Sequence, residues 1–145
     1  GTMSNLTDIL EGIETVLEAN VTGAKCYPYP PDAVNHPTSV LILPTEEPFG
    51  DPEQAFGGNT FRLTVLLTVL VASADPQTGW KQLMNMLYPT AAGTSVIKAL
   101  RDNPTLDGKA DSSGVTAIRN VGRRIYNESP FFGADLVLEI YKSVA

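Results

Sequence analysis

Thr60-Phe61-Arg62-Leu63-Thr64-Val65-Leu66-Leu67-Thr68-Val69-Leu70-Val71-Ala72 alternates with a period of two along its whole length. Successive strand side chains point to opposite sides. Phe61, Leu63, Val65, Leu67, Val69 and Val71 therefore share one face, which is wholly apolar and predicts a strand lying on a core. Arg62, Thr64, Leu66, Thr68, Leu70 and Ala72 share the other, and this mixed face predicts a cover that is only partly polar.

Upstream, Leu6, Ile9, Leu10, Ile13, Val16 and Leu17 recur at three- and four-residue steps, which predicts an amphipathic helix over residues 5–19. Ser4 or Asn5 can cap it, Asp8 and Glu11 suit the positive end of its dipole, and Asn20 and Gly23 offer left-handed positions to end it. Residues 24–29 read as a short extended piece before Pro30 and Pro31, and Ser39-Val40-Leu41-Ile42-Leu43 reads as a buried strand bounded by prolines. Residues 44–59, rich in Pro and Gly, form a loop longer than usual, which predicts a mobile or interface-forming segment.

Downstream, Asp75-Pro76 places a cap and a first-turn proline ahead of a helix whose inward stripe is Trp80, Leu83, Met84 and Leu87. A shorter helix follows Gly93-Thr94-Ser95, with Val96, Ile97 and Leu100 inward. Residues 105–114 read as a polar turn region. Strands over 115–126 and 133–143, joined by Asn127-Glu128-Ser129-Pro130, predict an antiparallel hairpin. Long consecutive strands with grouped helices predict an α+β fold: a mainly antiparallel sheet of about four to five strands with helices packed on one face.

The 145 residues suit one domain, taken as 3–145, because Gly1-Thr2 before Met3 reads as a tag-cleavage scar. Charged residues make up 18%, below the roughly 25% that is ordinary, so the polar coat is thin. The net charge of −6 disfavours attraction to a phosphate backbone, leaving repulsion of DNA as a use for it. No stretch is apolar enough for a membrane span, and no basic-then-apolar leader is present, which predicts a protein made in the cytoplasm.

Catalytic groups are sparse. Cys26 is a lone cysteine and reads as a small packing residue. His36 is the one histidine; Pro31 and Pro37 prevent a helix that would align it with Asp32. Ser95 and Ser112-Ser113-Gly114 lie outside any nucleophile elbow, and Gly57-Gly58 lacks the lysine and helix of a phosphate loop. Glu46, Glu47, Asp51 and Glu53 lack calcium-loop spacing and read as a solvated acidic loop. The expectation is no enzyme, no cofactor and no metal.

Apolar residues in turn-rich text stand out instead. Phe49, Phe56, Phe131 and Phe132 are candidate interface anchors, with folding back over the sheet edges as the competing reading. Arg119 and Arg123, four apart in one strand, are expected on a single face able to meet acidic residues of a neighbour. Asp51 and Arg62 complete the candidate interface set.

Several segments then carry a resemblance: Cys26-Tyr27-Pro28-Tyr29-Pro30-Pro31-Asp32-Ala33-Val34, the loop ending Phe56-Gly57-Gly58, the long strand into Ala72-Ser73-Ala74-Asp75, Tyr88-Pro89-Thr90-Ala91-Ala92-Gly93-Thr94-Ser95-Val96, and Leu100-Arg101-Asp102-Asn103-Pro104-Thr105-Leu106. In this order the chain resembles tail terminator proteins of long-tailed bacteriophages, especially those infecting actinobacteria. The resemblance implies a virion structural protein at the head–tail junction. It implies a hexameric ring that stops growth of the tail tube, meets the tube protein and the head-completion or connector protein, and lets genomic DNA through without specific binding. Two alternatives stand beside it: another head–tail or tail-completion component, and a small-molecule-binding or enzymatic α+β domain using the Asp32/His36 loop.

Overall fold

A computed structural model describes residues 6–21, 23–29, 31, 34, 38–44, 50–51, 60–72, 75–89, 93, 95–126 and 129–143. The elements run α1 (Leu6–Asn20), β1 (Lys25–Tyr27), β2 (Thr38–Pro44), β3 (Gly50–Asp51), β4 (Thr60–Val71), α2 (Pro76–Leu87), α3 (Val96–Asp102), β5 (Ser112–Tyr126) and β6 (Ser129–Ser143). The fold is α+β.

β4 and β6 form the centre of the sheet because each is long and strictly alternating. They pair antiparallel in full register from Thr60↔Ser143 to Val71↔Phe132. The order across the sheet is β1-β2-β4-β6-β5, with β3 also on β4. β2 runs antiparallel to β4 from Thr38↔Val71 to Pro44↔Val65, and β1 lies parallel to β2. Gly50 and Asp51 pair with Leu63 and Arg62, so β3 continues the line of β2 along the same side of β4. The stretch 44–59 is thus not a single loop: Pro44 closes β2 and Gly50–Asp51 returns to the sheet. The remaining residues of that stretch lie outside the described ones.

The three helices among the described residues cover one face. Ile9, Ile13, Val16 and Leu17 of α1, Leu83, Met86 and Leu87 of α2, and Val96, Ala99 and Leu100 of α3 share a core with Leu63, Val65, Leu67, Val69 and Val71 of β4 and Ala134, Leu136, Leu138 and Ile140 of β6. Trp80, expected in the inward stripe of α2, is instead 41% exposed; Met86 takes the core position. The cap expected at Asp75 matches the geometry, while Ser4 and Asn5, the candidate caps of α1, lie outside the described residues. Asp75 accepts from the Gln77 amide at 3.2 Å and the Thr78 hydroxyl at 2.6 Å, and Ser95 accepts from the Lys98 amide at 3.0 Å. These bonds hold the Asp75 carboxyl below its ordinary range, the Thr78 hydroxyl contributing most.

α1 is tied to the sheet by Glu18, which accepts from the Cys26 amide at 3.0 Å and pairs with Lys25 at 3.4 Å. At its middle, Gly12 lies against the turn after α3, where an added Cβ would stand 2.3 Å from the Leu106 carbonyl oxygen. Leu106 itself is fully buried in a left-handed conformation, φ 52°.

Candidate functional site

The face of the sheet away from the helices explains the mixed side of β4. Leu41, Leu70 and Phe131 form a second small cluster, with Tyr27, Val34, Leu43, Ala72 and Tyr126 packed on it. The Tyr126 hydroxyl donates to the Pro31 carbonyl, so part of the β1–β2 connection crosses beneath this face. Beside the cluster lies a buried polar centre. Asp135, 3% exposed, accepts from the Thr68 hydroxyl, Asn120 Nδ2 and Arg124 Nη1, each at 2.9 Å. Thr68 of β4 serves this network, and Thr64 on the same face is buried.

β5 is the outermost strand, bonded to β6 alone among the described residues. Two irregularities blunt it. Between Val115 and Ala117 it carries one residue more than β6, and between Arg119 and Gly122 it again spends one residue extra. Asn120 in the second bulge has φ 55°, the left-handed conformation that aims its amide at Asp135. Bulges bend and twist an edge and so limit strand-to-strand addition.

The second bulge corrects the expected grouping of arginines. Four residues apart in a regular strand, Arg119 and Arg123 would share a face. The extra residue inverts the alternation: Arg119 lies opposite Asp135 and Arg123 opposite Phe132, on different faces of the sheet. Arg119 is exposed, and so is Arg123, whose guanidinium rests over the Phe132 ring at 5.3 Å from its centroid. Phe132 in turn meets Trp80 edge-on at 5.8 Å.

Phe131 and Phe132 are corrected as well. They do not occupy a turn, because β6 begins at Ser129 and Tyr126 pairs directly with Ser129. Phe131 is buried in the second cluster and Phe132 is half-buried against the main core, closer to the competing reading than to that of free anchors. Arg62 is half-buried in β4 opposite Tyr141, and Asp51 is its partner in β3. Phe49 and Phe56 lie outside the described residues, as do Asp32, His36, Glu46, Glu47 and Glu53.

Sequence reasoning passed over the exposed apolar side chains of β5. Ile118 and Val121 are each 43% exposed and Ile125 is 77% exposed. Their signal was present: Ile-Arg-Asn-Val-Gly-Arg-Arg-Ile places isolated aliphatics among arginines, a pattern that no single buried face explains. At the Ile125 end, Val71, Pro76, Arg123, Arg124, Ile125, Pro130, Phe131 and Phe132 enclose an open cleft of about 470 Å³. Its floor is apolar and its cations are Arg123 and Arg124, the latter engaged by Asp135.

Cys26 is completely buried, and desolvation pushes its thiol far above the ordinary range, with Glu14 and Glu18 adding to the effect. Such a thiol packs and does not react. Among the described residues, no three His, Cys, Asp or Glu side chains converge as a metal site. None of the described helices is long and apolar enough to cross a membrane.

Comparison with protein-family models gives no match, and comparison with curated proteins gives none either.

Proposed function

We propose that this chain is a structural subunit of a long-tailed bacteriophage, assembling into a ring that ends the tail tube and joins it to the head connector. The observation that carries the reading is the outer strand β5, which shows Ile118, Val121 and Ile125 to solvent beside Arg119 and Arg123. A thinly charged chain gains by covering such a row, and apolar residues with arginine are the usual core of a protein interface. The resemblance in segment order supplies the kind of assembly. Six copies, each with net charge −6, make a strongly acidic ring, which favours DNA passage without adhesion.

The cleft beside Ile125 favours a second reading, because its volume falls within the range of small-ligand pockets. Its polar groups are two arginines, one already paired, which offers little orientation to a small molecule. Light scattering with and without tail tube protein separates the two. Ring-sized particles, and tubes that stop growing when the chain is added, support the phage reading. A dispersed monomer at every concentration, with tube growth unaffected, sinks it.

A further inference from the structure

The cleft at the Val71 end of the sheet lies far from the acidic stretch of the chain. Residues 45–59 hold four carboxylates, Glu46, Glu47, Asp51 and Glu53, with Phe49 and Phe56 and no basic residue. This stretch is anchored at the opposite end, through Pro44↔Val65, Asp51↔Arg62 and Thr60. From Arg62 to Val71 along β4 is about 30 Å, and from Val65 about 20 Å, at a strand rise of about 3.3 Å per residue. Residues 52–59, tethered at both ends, project at most about 15 Å, and residues 45–49 about 10 Å. Chain of either length, tethered at those described residues, is too short to span that distance.

We propose that the cleft formed by Val71, Arg123, Ile125, Pro130 and Phe132 receives the acidic, aromatic stretch 46–56 of a second copy. Charge complementarity selects this occupant. The cleft offers the exposed Arg123 beside an apolar floor; the stretch offers carboxylates beside phenylalanines. Because the two surfaces sit at opposite ends of one subunit, the contact is head-to-tail. Such a contact closes into a ring when its rotation allows, whereas a two-fold contact would stop at a dimer. The inference rests on the assembly reading above and names the contact that would produce it.

Charge exchange tests it on the full chain. Arg123→Glu gives an acidic cleft facing an acidic stretch; the triple variant Glu46→Lys/Glu47→Lys/Glu53→Lys leaves only Asp51 as a carboxylate and gives a basic stretch facing a basic cleft. Each is expected to weaken self-association by about tenfold or more. Mixed in equal amounts, the two alternate, every contact again joins opposite charges, and assembly returns to the wild-type level. That rescue also shows that both variants fold. If both variants assemble like the wild type, or both fail and the mixture does not recover, the contact is overturned while the ring reading stands. If the wild-type chain itself never assembles, with or without tube protein, both are overturned.

Discussion

Arg124 crosses Gly133 to reach Asp135. In the β5–β6 register Arg124 stands opposite Phe131, yet its Nη1 donates to Asp135 Oδ1 at 2.9 Å, four residues further along β6. The stem of the arginine lies over Gly133, where an added Cβ would meet Arg124 Cγ at 3.0 Å and the Val69 carbonyl oxygen at 2.7 Å. Glycine at 133, arginine at 124 and aspartate at 135 are thus one arrangement, and it pins the bulged outer strand to the centre of the sheet.

Asp135→Ala removes the acceptor shared by Thr68, Asn120 and Arg124. Stranding the buried Thr68 hydroxyl and losing two part-buried bonds, one of them to an arginine whose side chain is 31% exposed and can turn to water, costs about 2 kcal/mol. Urea unfolding should show that loss. An unchanged midpoint would mean that the network contributes nothing to stability.

Gly133→Ala and Gly12→Ala should both destabilise. At Gly12, alanine gains about 1 kcal/mol of helix propensity, which alone predicts stabilisation. The new methyl, however, would stand 2.3 Å from the Leu106 backbone oxygen, an atom held by a buried turn, and overpacking of this kind costs about 1–3 kcal/mol. The clash outweighs the propensity. Thermal melts of both variants decide it, and a raised Tm for Gly12→Ala would contradict the packing described.

Cys26 carries a pH signature. Its folded-state pKa is raised by burial above the ordinary 9.0, so the folded chain holds the thiol proton more tightly than the unfolded chain does. Below pH 9 both states are protonated and the thiol contributes no slope. As pH climbs above 9 the unfolded state ionises first, and stability falls. Denaturation at pH 8 and pH 10 should show a steeper loss for wild type than for Cys26→Ala. Equal slopes would mean that the thiol is accessible, as would rapid labelling of the native protein by a thiol reagent.

Much of the sheet was legible because β4 and β6 from Gly133 onward keep a period of two, while α1 carries a clear stripe and α2 a clear cap at Asp75. What escaped were the places where one residue changes the register. Asn120 and Gly122 in Ile118-Arg119-Asn120-Val121-Gly122-Arg123 hint at a bulge but do not fix where the extra residue falls; that follows from Asn120 turning left-handed to reach a partner fifteen positions away in sequence. That single step separates Arg119 from Arg123. Phe131 and Phe132 read as turn residues because Pro130 precedes them, yet proline is tolerated near the start of a strand. β3 is two residues long and carries no period at all. The placing of β6 between β4 and β5 is a long-range pairing that local pattern does not encode.

Trp80 reports on the cleft from outside it. It is 41% exposed and meets Phe132, which lines the cleft beneath Arg123. Association at this end excludes water from the indole, so its emission should shift to the blue as the chain assembles, and Arg123→Glu should abolish the shift. Emission that is independent of protein concentration while particle size grows would place the contact elsewhere.

Ring formation by copies of this chain is read most simply by negative-stain microscopy of the purified protein, alone and with tail tube protein. Closed rings with six-fold symmetry are expected, capping the tube ends when tubes are present. Fields of isolated 15.5 kDa monomers, with bare tube ends, would contradict it.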